Sequence, residues 1–316
     1  MTRPFTERVL DHLPGPRLAW MVAWASLGSA AYLLTHLASP TATYPGDAFL
    51  LVFALANFVG LWANAAIGRR IDGLHPRLAD MLEPGQASEA FRSVGSTIGP
   101  LAFALVATLV YEIADFVANP NAAQGLRVVP VYFGQLAGAA FIWVYVAVLV
   151  SLIRIGGRPL RLPSFESDPG LGLRPFGQIA FIGFIGVVLS IAGFMATTGG
   201  DPRTGFSGLL VMFALGGLFF VSLYRLHLQM VTARNGYLAW ARDLYAQALA
   251  PLRASPTMEV LERQAARITA ATEIERRVKE IAEWPFDDWV LRTVVAILLG
   301  ATAGVAARAV ATGIGI

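Results

Sequence analysis

The sequence predicts an all-α, polytopic integral membrane protein, and three observations support this fold class. Hydrophobic residues make up 56% of the 316-residue chain and charged residues only 14%, whereas a soluble domain usually carries about a quarter charged residues. Seven apolar runs are each long enough to cross about 30 Å of hydrocarbon as a helix. Arginine and lysine are concentrated in alternate connections between these runs, as expected of a chain threaded through a bilayer.

The composition also excludes several classes of site. The chain has no cysteine, so disulfides, thiol catalysis and thiolate metal sites are impossible. The net charge of only +3 gives no basis for a nucleic-acid partner. The histidines have no metal-ligand spacing, and we predict neither a metal nor another cofactor.

The seven apolar runs are called spans 1 to 7. Spans 1 to 6 form one membrane region, so the chain divides into four regions in all. The spans lie at 18–38, 48–68, 97–118, 129–153, 175–197, 208–228 and 289–309. Glycine and proline inside them do not exclude helix, because backbone groups in lipid must bond internally. The regions are a cytoplasmic N-terminal segment, a six-helix membrane region, a cytoplasmic helical insertion, and span 7 with the outer C-terminus: 1–17, 18–228, 229–288 and 289–316.

The positive residues predict the orientation of the spans. With the N-terminus in the cytoplasm, all but three of the 24 arginines and lysines fall inside, the exceptions being Arg127, Arg203 and Arg308. Cytoplasmic loops carry such an excess in membrane proteins. The sequence therefore predicts an N-inside, C-outside protein of the cell membrane.

The insertion between spans 6 and 7 is predicted to form a helical hairpin. Its first part carries an apolar stripe at steps of three and four residues: Tyr237, Leu238, Ala241, Leu244, Tyr245, Ala248, Leu249 and Leu252. We expect span 6 to continue into it without a break. Ser255 is predicted as the N-cap of the next helix, with Pro256 at its first position.

The second helix of the hairpin, 257–283, is charged on most of its faces. We expect it to contact a partner through Leu261, Ala265, Ile268, Ile274, Val278 and Ile281. The hairpin packs on itself or on copies of the chain in one interpretation, and it binds another protein in the other.

A hinge is predicted where this hairpin meets span 7. Trp284 suits the headgroup region, and Pro285 bends the chain because it lacks an N–H. Asp287 and Asp288 lie at the start of a helix, where negative charge is favoured, and Arg292 is one turn further and within reach of them. The hinge is either a structural connection or a gate that passes motion from the hairpin to span 7.

Span 7 contains Gly300 and Gly304 at a spacing that allows close approach of a second helix. Arg308 follows on the same face, near the outer surface. This face packs within one subunit, or it forms a subunit interface or lines a pore.

Span 3 contains two acidic residues near its outer end, Glu112 and Asp115. A carboxylate in the middle of a bilayer costs about 2.5–3.5 kcal/mol and normally finds a partner. Arg308, His36 and Arg127 are predicted at the same level. The acids are an ion pair with Arg308 in a structural interpretation, or an outer site that attracts cations.

The cytoplasmic connection between spans 4 and 5 carries two further acids, Glu166 and Asp168, in a sequence rich in turn residues. It lacks the lysine and spacing of a phosphate-binding loop. We expect Leu171 and Leu173 to insert into lipid or under the helices. A small-molecule or ion site on Glu166 and Asp168 is the alternative.

No catalytic residue is predicted. The sequence GFSG at 205–208 resembles the nucleophile motif of rhomboid intramembrane proteases, but span 7, the one later span, has no histidine to pair with Ser207. We therefore expect the chain not to be an enzyme.

At the level of topology, the predicted chain resembles the insect odorant and gustatory receptor channels. Those proteins have seven helices, an inner N-terminus and long cytoplasmic helices before helix 7, and four subunits join with helix 7 lining the pore. The resemblance implies a homo-oligomeric, channel-like or transport protein of the bilayer, with span 7 near the permeation path. The alternative is a non-conducting scaffold or sensor whose cytoplasmic helices bind a protein partner.

Overall fold

The structure, a computed structural model, describes residues 3–40, 44–83, 85–118, 122–197, 202–254 and 257–314. Within these ranges the chain is all-helical, apart from short connections. The helices are α1 (Phe5–Asp11), α2 (Arg17–Ala38), α3 (Asp47–Met81), α4 (Gln86–Glu89), α5 (Ile98–Ala118), α6 (Ala122–Gly156), α7 (Arg174–Thr197), α8 (Pro202–Ala254), α9 (Met258–Lys279) and α10 (Asp288–Ile314).

Six of these helices are long and apolar enough to cross a membrane, namely α2, α3, α6, α7, α8 and α10. The predicted span 3 corresponds to α5, whose described apolar stretch, Ile98–Val110, is shorter than a span. The all-helical fold is therefore confirmed, with six candidate spanning helices of the kind an integral membrane protein requires.

Three helices extend beyond the predicted spans. Helix α3 is 35 residues long in total and continues past Pro76 to Met81. Helix α6 begins at Ala122, well before Pro130. Helix α8 has 53 residues and is about 80 Å long at 1.5 Å per residue. The prediction that span 6 continues without a break into the insertion is thus confirmed.

Helix α6 lies at the centre of the bundle and packs against α2, α3, α5, α7 and α8. Glycine allows the closest of these contacts. A Cβ added to Gly134 of α6 would lie 2.5 Å from the backbone nitrogen of Gly28 in α2. Such contacts between backbones hold helices together where lipid supplies no hydrophobic driving force.

The largest core lies mainly at one end of the bundle, called the arginine-rich end, where the ends of α3 and α6 meet α7, α8 and the start of α10. It extends along α7 to Val188 and along α8 to Met212. Its contacts join connections to helices. The Arg161 N–H donates to the Met81 carbonyl at 2.9 Å, and the Gln229 amide donates to the carbonyls of Gly156 and Arg158, each at 2.8 Å. These bonds satisfy backbone groups left open where α3 and α6 end.

The second half of α8 packs against α9 as a helical hairpin. Ala241 and Ala248 of α8 are buried, in agreement with the predicted stripe, and Ala271 and Val278 are buried on α9. Tyr245, by contrast, is exposed.

The start of α9 differs from the prediction. Its N-cap is Thr257, whose hydroxyl accepts from the Val260 N–H at 3.4 Å, while Ser255 and Pro256 lie outside the described residues. Leu261 and Ala265 are exposed and do not pack within the hairpin of a single chain, so their contact with a second copy or another protein stays a prediction. The first buried residue of α9 is instead Gln264.

Helix α10 lies at the edge of the bundle and packs chiefly against α8. Only 11% of its most apolar stretch is buried within the chain, compared with 67% for that of α6. Val290 and Val294 join the core at the arginine-rich end, and most of the rest of the helix is exposed.

Candidate functional site

A buried polar network lies between α2, α5 and α6, far from the arginine-rich end. The Arg127 guanidinium pairs with the Glu112 carboxylate at 2.9 Å, and their side chains are only 1% and 3% exposed. The Tyr32 hydroxyl donates to the other carboxylate oxygen at 2.7 Å. The Arg127 guanidinium also lies over the Tyr32 ring, 4.5 Å from its centroid, in cation–π geometry.

Three helices hold this network in place. Because α6 begins at Ala122, Arg127 lies on a helix that runs beside α5, and it faces Glu112 across the contact. One turn before Glu112 on α5, the Thr108 hydroxyl donates to Gln135 of α6 at 2.8 Å. The two polar contacts fix the register of the helix pair.

One of the two interpretations paired Glu112 with Arg308, whereas the described structure pairs it with Arg127. Arg127 had been assigned to an outer loop and is the residue that pairs with Glu112. Helix α5 packs chiefly against α6 and α10 against α8, so α10 is not beside Glu112. The side chains of Asp115 and Arg308 lie outside those described. His36, also considered, stacks on Tyr44 with ring centroids 4.4 Å apart.

An apolar cleft of about 230 Å³ adjoins the network between α5 and α6. Glu112 is one of its lining residues, together with Leu109, Ile113 and Phe116 of α5 and Val128 of α6. The surface of the cleft is almost entirely apolar, and the Glu112 carboxylate beside it stays paired with Arg127. Ionisable groups inside spanning helices commonly line solute or proton paths.

The Gly300 and Gly304 face of α10 is open. A Cβ added at either glycine would meet no atom within 4 Å. Packing of this face within one subunit was one of the two interpretations, and the described chain does not use it. In contrast, a Cβ added at Gly183 or Gly186 of α7 would overlap Tyr145 or Phe141 of α6.

The predicted hinge residues lie in a compact aromatic cluster. Trp284 stacks on His227 of α8, with centroids 4.2 Å apart, and on Phe286 at 5.5 Å. The Pro285 carbonyl lies directly against Gly177 of α7, where a Cβ would overlap it. The cluster ties the start of α10 to α7 and α8.

One acid of the hinge, Asp287, makes a contact that was not predicted, and the other, Asp288, lies where it was expected. Asp287 pairs with Arg174 of α7 at 3.5 Å, and its carbonyl accepts from the Val290 N–H at 2.9 Å. Asp288 is the first residue of α10, as expected for an acid at a helix N-terminus. Arg292 is exposed on the first turns of α10.

The connection before α7 separates its two acids. The Asp168 carboxylate accepts the backbone N–H groups of Gly170 and Gly172 at 2.7 and 3.0 Å, which shapes the turn. Leu171 and Leu173 are fully buried under the helices, which is one of the two placements expected for them. Glu166 is exposed and lies at the edge of an open groove.

The hairpin surface carries dense ion pairs along α9. Arg276 and Arg277 both donate to the Glu273 carboxylate, at 2.7 to 2.9 Å. These bonds, with Arg276 contributing most, lower the pKa of Glu273 to about 2. The bond from Lys279 likewise lowers the pKa of Glu275. Helix α9 is thus stabilised by side-chain pairs three and four residues apart.

Tyr32 is the member of the network that sequence reasoning missed. A tyrosine on an apolar helix commonly serves as a membrane-interface anchor, so its type alone did not point to Glu112. Among the described residues, no cluster of histidine, aspartate and glutamate has the geometry of a metal site. No family model, curated protein or solved structure matches this chain.

Proposed function

We propose that the chain is a multi-pass protein of the cell membrane with seven spanning helices, its N-terminus inside and its C-terminus outside. The near-absence of arginine and lysine from one set of connections supports this orientation. In this proposal α5, the predicted span 3, crosses the membrane in addition to the six candidate spans, because it follows α6 over most of its length. The two helices touch at Glu112 and Arg127 near one end, and at Gly99 and Trp143 near the other.

Within that topology, the chain acts as a homo-oligomeric, channel-like or transport protein with α10 near the permeation path. The observation that carries this function is the open face of Gly300 and Gly304. Most glycines of the other candidate spans lie against a neighbouring helix, because a missing side chain lets backbones approach. The glycines of α10 contact no other helix among the described residues, so a second copy of the chain is the natural partner of this face.

The buried network and its cleft support transport over a purely structural role. Charged groups inside spanning helices are costly and often mark the route of an ion, a proton or a solute. In this proposal, Glu112 and Arg127 form a polar site at the outer level of each subunit. The path along α10 is separate from it, because α10 packs on the opposite helix, α8.

Cysteine cross-linking tests the oligomer directly, because the chain has no cysteine of its own. We expect a Gly304→Cys variant to form a disulfide-linked dimer in membranes under mild oxidation. The matched control is Val110→Cys on α5, which is also exposed but lies away from α10, and it should stay monomeric. A strict monomer in detergent, with no cross-link through Gly304→Cys, overturns the oligomer.

Flux into liposomes tests transport separately. We expect the wild-type protein to pass small cations or small polar solutes, and Gly304→Leu to reduce that flux at least about tenfold by filling the contact face. Empty liposomes and heat-inactivated protein set the background. If the oligomer forms but nothing is conducted, the transport function is rejected.

The second candidate is a non-enzymatic scaffold or sensor that binds a cytoplasmic protein through the hairpin. The observation that favours it is the exposure of Tyr245, Met258 and Leu261, which are 40%, 70% and 44% exposed. Large apolar side chains on a water-exposed hairpin suit a protein interface. Replacing Met258 and Leu261 by serine should abolish partner binding and leave flux unchanged.

A further inference from the structure

An open groove of about 510 Å³ lies between α8 and the connection that precedes α7. It is lined by Phe165 and Glu166 on one side, and by Gly236, Tyr237 and Trp240 of α8 on the other. The groove is distant from the Glu112 network and does not involve α10. Its contents therefore do not depend on the function proposed above.

Aromatic rings form the walls of this groove. Phe165 is anchored in the core with only 7% of its surface exposed, and it meets Tyr237 edge to face at 4.8 Å between centroids. Trp240 follows Tyr237 by one helical turn and is 46% exposed. An indole left half in solvent, in a groove that two other rings also line, offers an aromatic face to a ligand.

One carboxylate completes the lining. Glu166 is exposed, and it forms no ion pair within the described part of the chain, although the protein is rich in arginine. Its backbone N–H donates to the Ser164 hydroxyl at 3.3 Å, which fixes the turn that presents it. Asp168 does not compete, because its oxygens accept from Gly170 and Gly172.

We propose that this groove binds an alkylated ammonium, either a free solute or the choline headgroup of a lipid. Aromatic faces attract such cations through their quadrupole, and the surrounding alkyl groups suit apolar walls. The carboxylate supplies the opposite charge and disfavours anions such as phosphate. Gly236 leaves open space, since a Cβ there would meet no atom within 4 Å.

That open space also provides a probe. In the cysteine-free chain, a Gly236→Cys variant fits without overlap, and its modification by the neutral reagent N-ethylmaleimide reports occupancy of the groove. In a maltoside detergent without choline lipids, we expect choline to slow modification at least about fivefold. The neutral isostere 3,3-dimethylbutan-1-ol should protect at least about tenfold more weakly, because it lacks the charge.

Background variants identify the groove as the binding site. Glu166→Gln and Trp240→Leu, each introduced into Gly236→Cys, should raise the half-protecting choline concentration about three- to tenfold. Tyr245→Leu, exposed on the same helix but outside the groove, should leave it unchanged. A Gly73→Cys variant, also in open space, should show no protection.

Nanodiscs distinguish the two sources of the cation. Protection of Gly236→Cys by phosphatidylcholine discs alone, absent in phosphatidylglycerol discs, identifies a lipid headgroup. Protection that requires added choline in both discs identifies a free solute. Equal protection by choline and its neutral isostere, or no protection by choline in detergent or in either disc, overturns the proposal.

Discussion

Glu112 of α5 and Arg127 of α6 form an ion pair at 2.9 Å with both side chains almost completely buried. Each charge has lost its water and depends on the other, since an isolated ion in such a site costs several kcal/mol. Tyr32 adds a hydroxyl bond to the carboxylate and an aromatic face to the guanidinium. The pair therefore fixes how α2, α5 and α6 meet.

Removing one charge of this pair should be more harmful than removing both. We expect Glu112→Gln to destabilise the protein by about 3–5 kcal/mol, because it leaves the Arg127 charge buried beside a neutral amide. The double variant Glu112→Leu with Arg127→Met should recover much of that loss. Thermal unfolding in one detergent at one pH measures both, and equal stability of Glu112→Gln and wild type would contradict the prediction.

The sequence indicated that Glu112 needs a partner but could not identify it. The apolar run of span 4 was predicted to start at Val129, so Arg127 was assigned to a loop. The structure continues α6 seven residues before the predicted start, to Ala122. Lipid-facing and core-facing side chains are both apolar in a membrane protein, so periodicity does not show which helices touch. For the same reason, the sequence alone does not show that the face of Gly300 and Gly304 is left open within the chain.

Glycine at position 177 should be sensitive to the smallest substitution. In Gly177→Ala the new methyl group would overlap the Pro285 carbonyl, so the connection before α10 must shift, at a cost of about 1–3 kcal/mol. Gly73→Ala is the matched control, because Gly73 is an exposed helical residue with open space around it. It should be neutral or stabilising by up to about 1 kcal/mol. Unfolding temperatures that fall equally in both variants would refute this difference.

The two acids of the connection before α7 should behave oppositely in stability measurements. Asp168→Ala removes the acceptor of two backbone N–H groups that position Leu171 and Leu173 in the core, and should cost about 1–3 kcal/mol. Glu166→Ala should change stability by less than about 0.5 kcal/mol, because its side chain is exposed. Chemical or thermal unfolding of both variants checks the contrast, which vanishes if Asp168 is not holding the turn.

The hairpin was more predictable than the bundle, because its polar and apolar faces differ. The stripe of Ala241 and Ala248 follows from helical spacing and is buried in the structure. The start of α9 was less predictable, since Leu261 and Ala265 are exposed in the single chain and Gln264 is buried. Helix α9 contains so few apolar residues that more than one of its faces fits the helical spacing of a buried stripe. Its N-cap is Thr257, whereas Ser255 was predicted.

The ion pairs of α9 should make its stability depend on acid pH. Bonds from Arg276 and Arg277 lower the pKa of Glu273 from 4.5 to about 2, so the folded protein holds this proton less tightly than the unfolded chain does. Its contribution is therefore fully present above about pH 4.5 and is lost as the pH falls towards 2. We expect the difference in unfolding temperature between wild type and Glu273→Gln to shrink over that range, and to shrink also in high salt because the groups are exposed.

Glu262→Gln, at an exposed position on the same helix with no ion pair among the described residues, should show no such trend. A gap for Glu273→Gln that stays constant from pH 6 to pH 2.5 would mean that these bonds do not stabilise the hairpin.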